Sequence, residues 1–477
     1  MTDPSYSPLR RGFTCRLYPN SQQSGLLSQW IGSQRFIYNC KVRQDRLNAA
    51  YYRRCMDLGL SEIQTELNQE YSLFKDKTHT HWLYTVPSQI LRNGAVRWFT
   101  AKQRQLKGLA KAPKSRNRAN FYSVHLTKEL FELSFKESVS DTDHHYTLNI
   151  GTSRYPVGTF VIHTDRLLNT FPNELTVKVK AGKWSVSFST EQLTSIILRT
   201  PEELLYELKG LSESELKTVS LGLDRNVKAN FFSDSKGVFY GKDPQIEQRL
   251  LRKDSQRRKY QRKMARSPLK SHNRRKLKQK LAKNHHYCAN VRMNLAHHIS
   301  RAIVNQGYRL VILEDLKIQN MVRKPKAKWD EVTGKWLKNN RKAKSALTSK
   351  ILNAVWGRTA QYIQYKGLAQ NQLVIKVPPH YTSQECNQCH HTDPLNRVGE
   401  TFYCLNCRHT QHADHNSPLN IQLKGIQWVL SDEASFKEKK QVTFKKKTNS
   451  LKSRAGKSEL LKENSEAMLE HSEVKGV

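Results

Sequence analysis

Cys386-Asn-Gln-Cys389 and Cys404-Leu-Asn-Cys407 are two Cys-x-x-Cys pairs separated by fourteen residues. A two-residue gap lets both thiolates of a pair reach one tetrahedral Zn²⁺. The segment between them, with Asp393-Pro394 and Thr401-Phe-Tyr403, suits a short hairpin. Four thiolates leave such an ion no open position, so this zinc is expected to be structural and not catalytic. His390, His391, His409, His412 and His415 stand nearby as competing ligands. With four thiolates at hand, they are expected to face solvent or nucleic acid. Cys15, Cys40, Cys55 and Cys288 are scattered, which argues against a secreted disulfide framework and for a reducing cytoplasm.

Three carboxylates offer a second chemistry. Asp224 ends the run Thr218-Val-Ser-Leu-Gly-Leu-Asp224, Glu314 ends Arg309-Leu-Val-Ile-Leu-Glu314, and Asp414 follows the second cysteine pair. Cutting a phosphodiester needs an activated water and a stabilised leaving oxygen, which two Mg²⁺ ions about 3.5–4 Å apart supply. Hard cations of this kind prefer carboxylate oxygens. Asp224 is expected to bridge both ions, Glu314 to hold one and Asp414 the other. Asp315 rivals Glu314, since neighbours on a strand point to opposite faces. Singly, each acid has a plainer account: a turn at Asp224, a helix cap at Glu314-Asp315, an Asx turn at Asp414. Their joint placement favours a site.

The elements around these acids read as α/β. Two strand-ending acids separated by a helix, with a third on a late helix, describe an RNase H-like arrangement. After a polar leader, Gly12 to Tyr18 reads as a strand, and Asn20 or Ser21 can cap a helix carrying Leu26, Leu27, Trp30 and Ile31 on one face. Helical patterning continues with breaks to about residue 105, and 107–118 reads as a basic loop. Alternating runs at 146–150, 159–163, 175–179 and 184–188 predict a small β barrel or sandwich. An acidic, helix-like stretch at 200–215 leads to a three-stranded meander over 218–240. Further on come two basic helices broken near Ser267-Pro268, a strand at 309–314, a loop at 322–344, a helix at 345–367 and a strand at 373–377. The polar, aperiodic tail after about 430 reads as disordered.

Charge narrows the partners. Lys and Arg number 81 against 41 acids, a formal charge of +40. Nucleic acid is the natural counterpart of such a chain, since each neutralised phosphate releases a counterion. No apolar run of about 18 residues argues for a membrane. Residues 249–283 hold sixteen Lys/Arg and one acid, Asp254, and the interleaved Leu250, Leu251, Tyr260, Met264, Leu277 and Leu281 predict helices with a packed side. Arg252, Arg257, Arg258, Arg262, Arg266, Arg274, Arg275 and Lys278 are the candidate duplex contacts. Lys328 and Trp329, in a loop that mixes cations with rings, suit stacking on single-stranded bases.

Asp414-His-Asn-Ser-Pro-Leu-Asn-Ile421 resembles the Asp-x-Asn-Ala-Ala-x-Asn-Ile signature of TnpB proteins. Tyr381 to Cys389 is similar to the family's approach to its ribbon. Gly222-Leu-Asp224, Glu314-Asp-Leu316, Tyr365-Lys366, Arg16 to Pro19, Arg35 to Asn39 and Pro87-Ser-Gln89 are similar to its other motifs. The resemblance spans about residues 12–430 and extends to compact type V CRISPR effectors. It departs at Asn226, His390 and Arg408, where glycines are usual, and at Ser417-Pro418, which replaces paired alanines. Asn226 tolerates positive φ, and Pro418 fits the first turn of a helix starting near Asn416. No departure removes a carboxylate.

The resemblance implies an insertion-element nuclease of the prokaryotic cytoplasm, at the nucleoid. It would be guided by RNA to double-stranded DNA beside a short flanking motif, with two Mg²⁺ and one structural Zn²⁺. It implies a RuvC nuclease domain (218–380, with basic helices 245–305, closed by a final helix 413–430) interrupted by a zinc ribbon (381–412). It also implies a wedge β barrel (1–19 and 119–217), a helical recognition domain (20–118) and a basic tail (431–477). A guided repressor that does not cut, an unguided transposase of the RNase H fold and a zinc-ribbon transcription factor are the rival readings.

Overall fold

The computed structural model describes residues 7–60, 67–117, 122–194, 196–227, 230–325, 327, 329–337 and 341–436. It is a mixed α/β protein. Strand β1 (Ser7–Leu17) leads into helix α1 (Ser21–Asp57). Asn20 caps that helix by accepting from Gln23 N at 2.8 Å, and Gln23 Oε1 accepts from Asn20 N at 3.0 Å, a capping box. Helix α2 (Ser88–Leu106) packs beside it. Then follow β2 (Ser123–Thr127), β3 (Phe131–Ser140), β4 (Asp143–Thr152), β5 (Tyr155–Thr164), β6 (Glu174–Lys180) and β7 (Lys183–Thr194). They form two antiparallel sheets, β1-β7-β6-β2 and β3-β4-β5. β1 returns across the helices to pair with β7 from Ser7↔Thr194 to Leu17↔Trp184. One core joins both sheets to the helices, with Leu17, Trp30, Ile37, Ile90, Trp98, Leu126, Tyr146 and Val186 buried together.

Helices α3 (Pro201–Lys209) and α4 (Glu213–Val219), each opened by a capping box, lead to strand β8 (Ser220–Arg225). Strands β9 (Asn230–Asp234) and β10 (Phe239–Gly241) complete the meander. The basic helices are α5 (Pro244–Arg266) and α6 (His272–Val304), separated by Pro268 and by Ser271, which caps α6 through Arg274 N. Strand β11 (Leu310–Glu314), one turn α7 (Ile318–Met321), and the short β12 (Trp329–Asp330) and β13 (Lys335–Trp336) follow. The helix expected over 345–367 is two, α8 (Arg341–Ala354) and α9 (Trp356–Leu368). Val355 between them sits at φ 56°, a left-handed conformation costly for a β-branched residue.

Strand β14 (Leu373–Val377), the small sheet of β15 (Arg397–Val398), β16 (Thr401–Tyr403) and β17 (Thr410–His412), and helix α10 (Ala413–Leu430) close the described chain. The larger sheet runs β10-β9-β8-β11-β14, with β8, β11 and β14 parallel. Alternation divides its side chains between two helical layers. Leu221, Leu223, Val311 and Leu313 join Leu295, Ile299, Trp356 and Ile363 of α6 and α9. Leu310, Ile312, Leu373 and Ile375 join Leu204, Leu208, Leu216, Ile421 and Ile426 of α3, α4 and α10. Among the described residues no helix is long and apolar enough to cross a membrane. The tail beyond Phe436 lies outside the described residues.

Candidate metal and nuclease site

Two glycines let α10 lie close on the sheet. A Cβ at Gly222 would stand 2.1 Å from Pro418 O, and one at Gly425 would stand 2.4 Å from Ile312 Cδ1. Both contacts define the face of β8 and β11 that meets α10. Asp224 shares that face with Gly222, and Glu314 shares it with Ile312, by the two-residue period. The register Leu313↔Leu223 sets the two acids at neighbouring strand ends. Asp414 comes from the first turn of α10, where His412 Nδ1 accepts from its N–H at 3.1 Å. The carboxylate oxygens of the three are not all within 4.8 Å of one another. Their charges nonetheless act on each other. Burial and then the neighbouring Glu314 push the Asp224 carboxyl up to about 7, with a smaller push from Asp414. Burial raises Glu314 too, against the Thr382 hydroxyl, which donates to Glu314 Oε1 at 2.7 Å. Such a cluster suits a cation: the donors are hard oxygens, and the fold resists their ionisation without counter-charge. Asp315 points elsewhere and is paired with Lys317, which holds it below the usual carboxylate range.

Sequence reasoning missed the residues that hold this arrangement. Asn416 and Asn420, one helical turn apart and buried, staple α10 to the segment before the first cysteine pair. Asn416 Nδ2 donates to Glu385 O at 2.8 Å, and its Oδ1 accepts from Asn387 N at 3.1 Å. Asn420 Nδ2 donates to Glu385 O at 2.6 Å and to Thr382 O at 3.0 Å. Arg397 of β15 approaches Asp414 Oδ1 at 3.5 Å, and Arg225 is buried beside Asp224. Trp356 Nε1 donates to Asn226 O at 3.0 Å, just past the first acid. Asn226 does not take positive φ. Helix α10 begins at Ala413, three residues before the expected Asn416, so Pro418 lies inside it and leaves Asp414 O without its helical N–H. Lys366 belongs to packing: its Nζ donates to His297 O and Ser300 Oγ of α6.

The four cysteines cluster with all Sγ atoms within 4.8 Å. Cys386 and Cys407 are 3.7 Å apart, Cys389 and Cys404 3.5 Å. A tetrahedral ion with Zn–S bonds of about 2.3 Å has sulfur–sulfur edges of about 3.8 Å. The set therefore fits zinc. Each knuckle repeats one backbone pattern. Cys386 N donates to His391 O and His390 N to Cys386 O; Cys404 N donates to His409 O and Arg408 N to Cys404 O. That turn puts His390 at φ 60° and Arg408 at φ 59°. The backbone N–H of His391 holds the Cys389 thiol down to about 6. None of the five nearby histidines joins the cluster.

The basic residues divide. Arg252, Arg262, Arg266, Arg275 and Lys278 are exposed on α5 and α6. Arg257 and Arg258 are tied to Asp254 at 2.5 and 2.8 Å. Arg274 donates to Ser267 O at 3.0 Å and to Met264 O, closing the end of α5. The helices also meet the β6–β7 turn, where Arg16, Lys183, Lys253, Lys280 and Lys283 line a cleft of 570 Å³. The Lys/Trp loop carries a small hairpin with Trp329 edge-on to Trp336, centroids 5.1 Å apart. Lys326 and Lys328 lie outside the described residues.

The class defined so far is a mixed α/β chain that carries two buried neighbouring acids and a four-cysteine cluster able to hold a metal ion. Three family models match it: "Cas12f1-like, TNB domain" over 356–421, "Probable transposase" over 204–324 and "Helix-turn-helix domain" over 9–46. The last segment is β1 and part of α1 in this chain. The "Putative RNA-guided DNA endonuclease InsQ" of Escherichia coli K12 is 27% identical over 87% of this chain and 92% of its own length. The CRISPR-associated endodeoxyribonuclease Cas12f1 of Sulfoacidibacillus thermotolerans is 37% identical over 15% of this chain and 17% of its own. A solved Cas12f1–sgRNA–target DNA complex aligns with a TM-score of 0.46 at 12% identity, over 87% of this chain and 99% of that one. The chain is similar to RNA-guided DNA endonucleases of insertion elements and, over its cysteine-bearing segment, to the compact CRISPR effectors.

Proposed function

We propose that the chain is an RNA-guided endonuclease that cuts double-stranded DNA beside a short flanking motif. The observation that carries this is the placing of Asp224, Glu314 and Asp414 around one sheet end, with Asp224 raised by desolvation and like charge and Glu314 by desolvation. Asp224, Glu314 and Asp414 would hold two Mg²⁺ ions, which when bound supply an activated water and neutralise the leaving oxygen. Thr382 orients Glu314; Arg225 and Arg397 add fixed positive charge to the site. The four cysteines would hold structural Zn²⁺ and keep the Thr382–Asn387 segment docked on α10.

In this reading 218–380 with 413–430 is an RNase H-like RuvC domain and 381–412 its ribbon. Residues 1–19 with 119–217 form a wedge, and 20–118 a recognition domain. The relatives' names support guide RNA and target DNA as partners, and with them a prokaryotic cytoplasm. The exposed faces of α5 and α6 follow the backbone of a guide–target duplex, read by shape.

The test is to express the chain with its native flanking DNA, sequence the RNA that co-purifies, and challenge matched plasmids with randomised flanks in Mg²⁺. A discrete RNA, and cutting that Asp224→Ala lowers about a thousandfold, are expected. RNA without cutting would leave a guided repressor. No RNA, with binding to particular DNA ends, would favour an unguided enzyme, which the "Probable transposase" match makes the second reading.

A further inference from the structure

We propose a separate binding site for a divalent transition ion of the Zn²⁺ type on the β3-β4-β5 sheet, formed by Asp143, His145 and His163. Strand register creates it. Glu137 pairs with His145 across β3–β4, and His145 pairs with His163 across β4–β5, so the three stand in one row. Asp143, two residues before His145, shares their face.

The imidazoles are 4.0 Å apart between centroids. Asp143 Oδ1 lies 3.5 Å from His145 Nε2 and 3.3 Å from His163 Nδ1, and the three ligand atoms are mutually within 4.8 Å. Zinc bonds to nitrogen and oxygen of about 2.0–2.1 Å give tetrahedral ligand edges of about 3.3–3.4 Å. Two of the three edges match that geometry, and the third, within 4.8 Å, can close by a turn of the exposed His163 ring.

Hydrogen bonding settles which nitrogen is free. Glu137 Oε1 lies 3.0 Å from His145 Nδ1. A carboxylate only accepts, so in the neutral imidazole the hydrogen sits on Nδ1 and the lone pair on Nε2. That Nε2 is buried and hydrogen-bonds to nothing. A histidine oriented by a carboxylate, its other nitrogen turned to the metal, is how proteins prepare this ligand. The adjacent His144 is spoken for on both nitrogens, by Ser138 Oγ at 2.7 Å and Asp141 O at 3.2 Å. Three protein ligands leave a fourth position on the solvent side, where His163 is 57% exposed. The ion would clasp β4 to β5 and, through Glu137, β3.

The test counts zinc on the full-length chain in an Asp224→Ala background, which keeps the acidic trio out of the count. After desalting from Zn²⁺, two equivalents per chain are expected, one held by the cysteines. His163→Ala, an exposed position that spares folding, should leave one. Glu137→Gln should keep the second equivalent at saturation but weaken it about 10–100-fold. Co²⁺ added to chain already holding one Zn²⁺ should give a visible spectrum without thiolate bands, absent in His163→Ala. One equivalent in the Asp224→Ala chain, or a second that survives His163→Ala, overturns the proposal.

Discussion

At the four-cysteine cluster, each knuckle sets its own two ligands. Its backbone hydrogen bonds close within six residues, and the same pattern occurs twice. At the carboxylates nothing local sets the spacing. Asp224 and Glu314 come from adjacent parallel strands and Asp414 from a helix pressed on them by two glycines. The electrostatics differ as well. The Cys386 and Cys407 thiols hold their protons more tightly than usual, whereas buried Asp224 and Glu314 repel each other once both ionise. Locally built ligands are thus cheap to hold in place and organise a small fold, while acids assembled by tertiary packing carry, once ionised, a stability cost that a bound cation would relieve.

Removing zinc should produce the largest effect. Structural zinc is worth on the order of 10 kcal/mol in small zinc modules, so chelation or Cys404→Ser should unfold 381–412. Amide exchange across Cys386 to Cys407 should become fast while β8 and β11 stay protected. Cutting should fall as well, because Thr382 and Asn420 link that segment to Glu314 and α10. Retained protection would mean that Phe402 and the Asn staples hold the ribbon unaided, and the contrast between the two sites would collapse.

Next comes Asp224. Asp224→Ala should lower cutting about a thousandfold, equivalent to about 4 kcal/mol, while Asp315→Ala should leave it nearly unchanged. Stability should move the other way. An acid whose folded pKa lies above its ordinary 3.8 binds its proton more tightly when folded. Metal-free protein should therefore lose stability as pH rises from about 4 to about 7 and level off above, and Mg²⁺ should restore it. Asp224→Asn should flatten that slope, raising stability at pH 8 by on the order of 2 kcal/mol. Thermal unfolding with and without Mg²⁺ across that range reads the effect; a slope unchanged in the Asn variant would remove Asp224 as its source.

The difference in construction explains what could be read from the chain. Cys-x-x-Cys carries its geometry within each pair, so the cluster was legible from spacing. The strands ending at Asp224 and Glu314 were legible from apolar runs, and alternation correctly left only one of Glu314 and Asp315 beside the other acids. What depended on packing was not legible. The left-handed Val355 splits a helix that periodicity reads as one. Pro418 was placed in a first turn because α10 was started too late. Asn416 and Asn420 stand in the closing signature, but what they do there is visible only once Glu385 is seen beneath them. His145 and His163 meet only through register, which no spacing in the sequence encodes.

Gly222→Ala tests the tertiary half of the contrast. The new methyl would meet Pro418 O and Gln422 N, both backbone atoms, so α10 must move. Overpacking of this kind costs about 1–3 kcal/mol, and cutting should fall sharply although no ligand is touched. Zinc content should stay at the unmutated value. Zinc loss in Gly222→Ala would mean that the ribbon depends on α10 as much as the acids do.

The smallest effect belongs to the knuckles themselves. His390 and Arg408 hold left-handed backbone where glycine carries no Cβ penalty, a conformation that costs other residues about 1–2 kcal/mol. Glycine gives part of that back through its freer unfolded chain, so each replacement should add only about 0.5–1 kcal/mol. Arg408, exposed, should gain more than His390, whose Nδ1 lies 3.6 Å from Glu385 Oε1. Because the strain sits inside the knuckle, the gain should appear as slower zinc release in Arg408→Gly, with Mg²⁺-dependent cutting of naked target unchanged. Arg408→Ala, which keeps the Cβ, should show no gain and isolates backbone strain from loss of the guanidinium. If Arg408→Gly and Arg408→Ala weaken target binding equally, the side chain is kept for a phosphate contact, and its strained backbone is the cost of that contact.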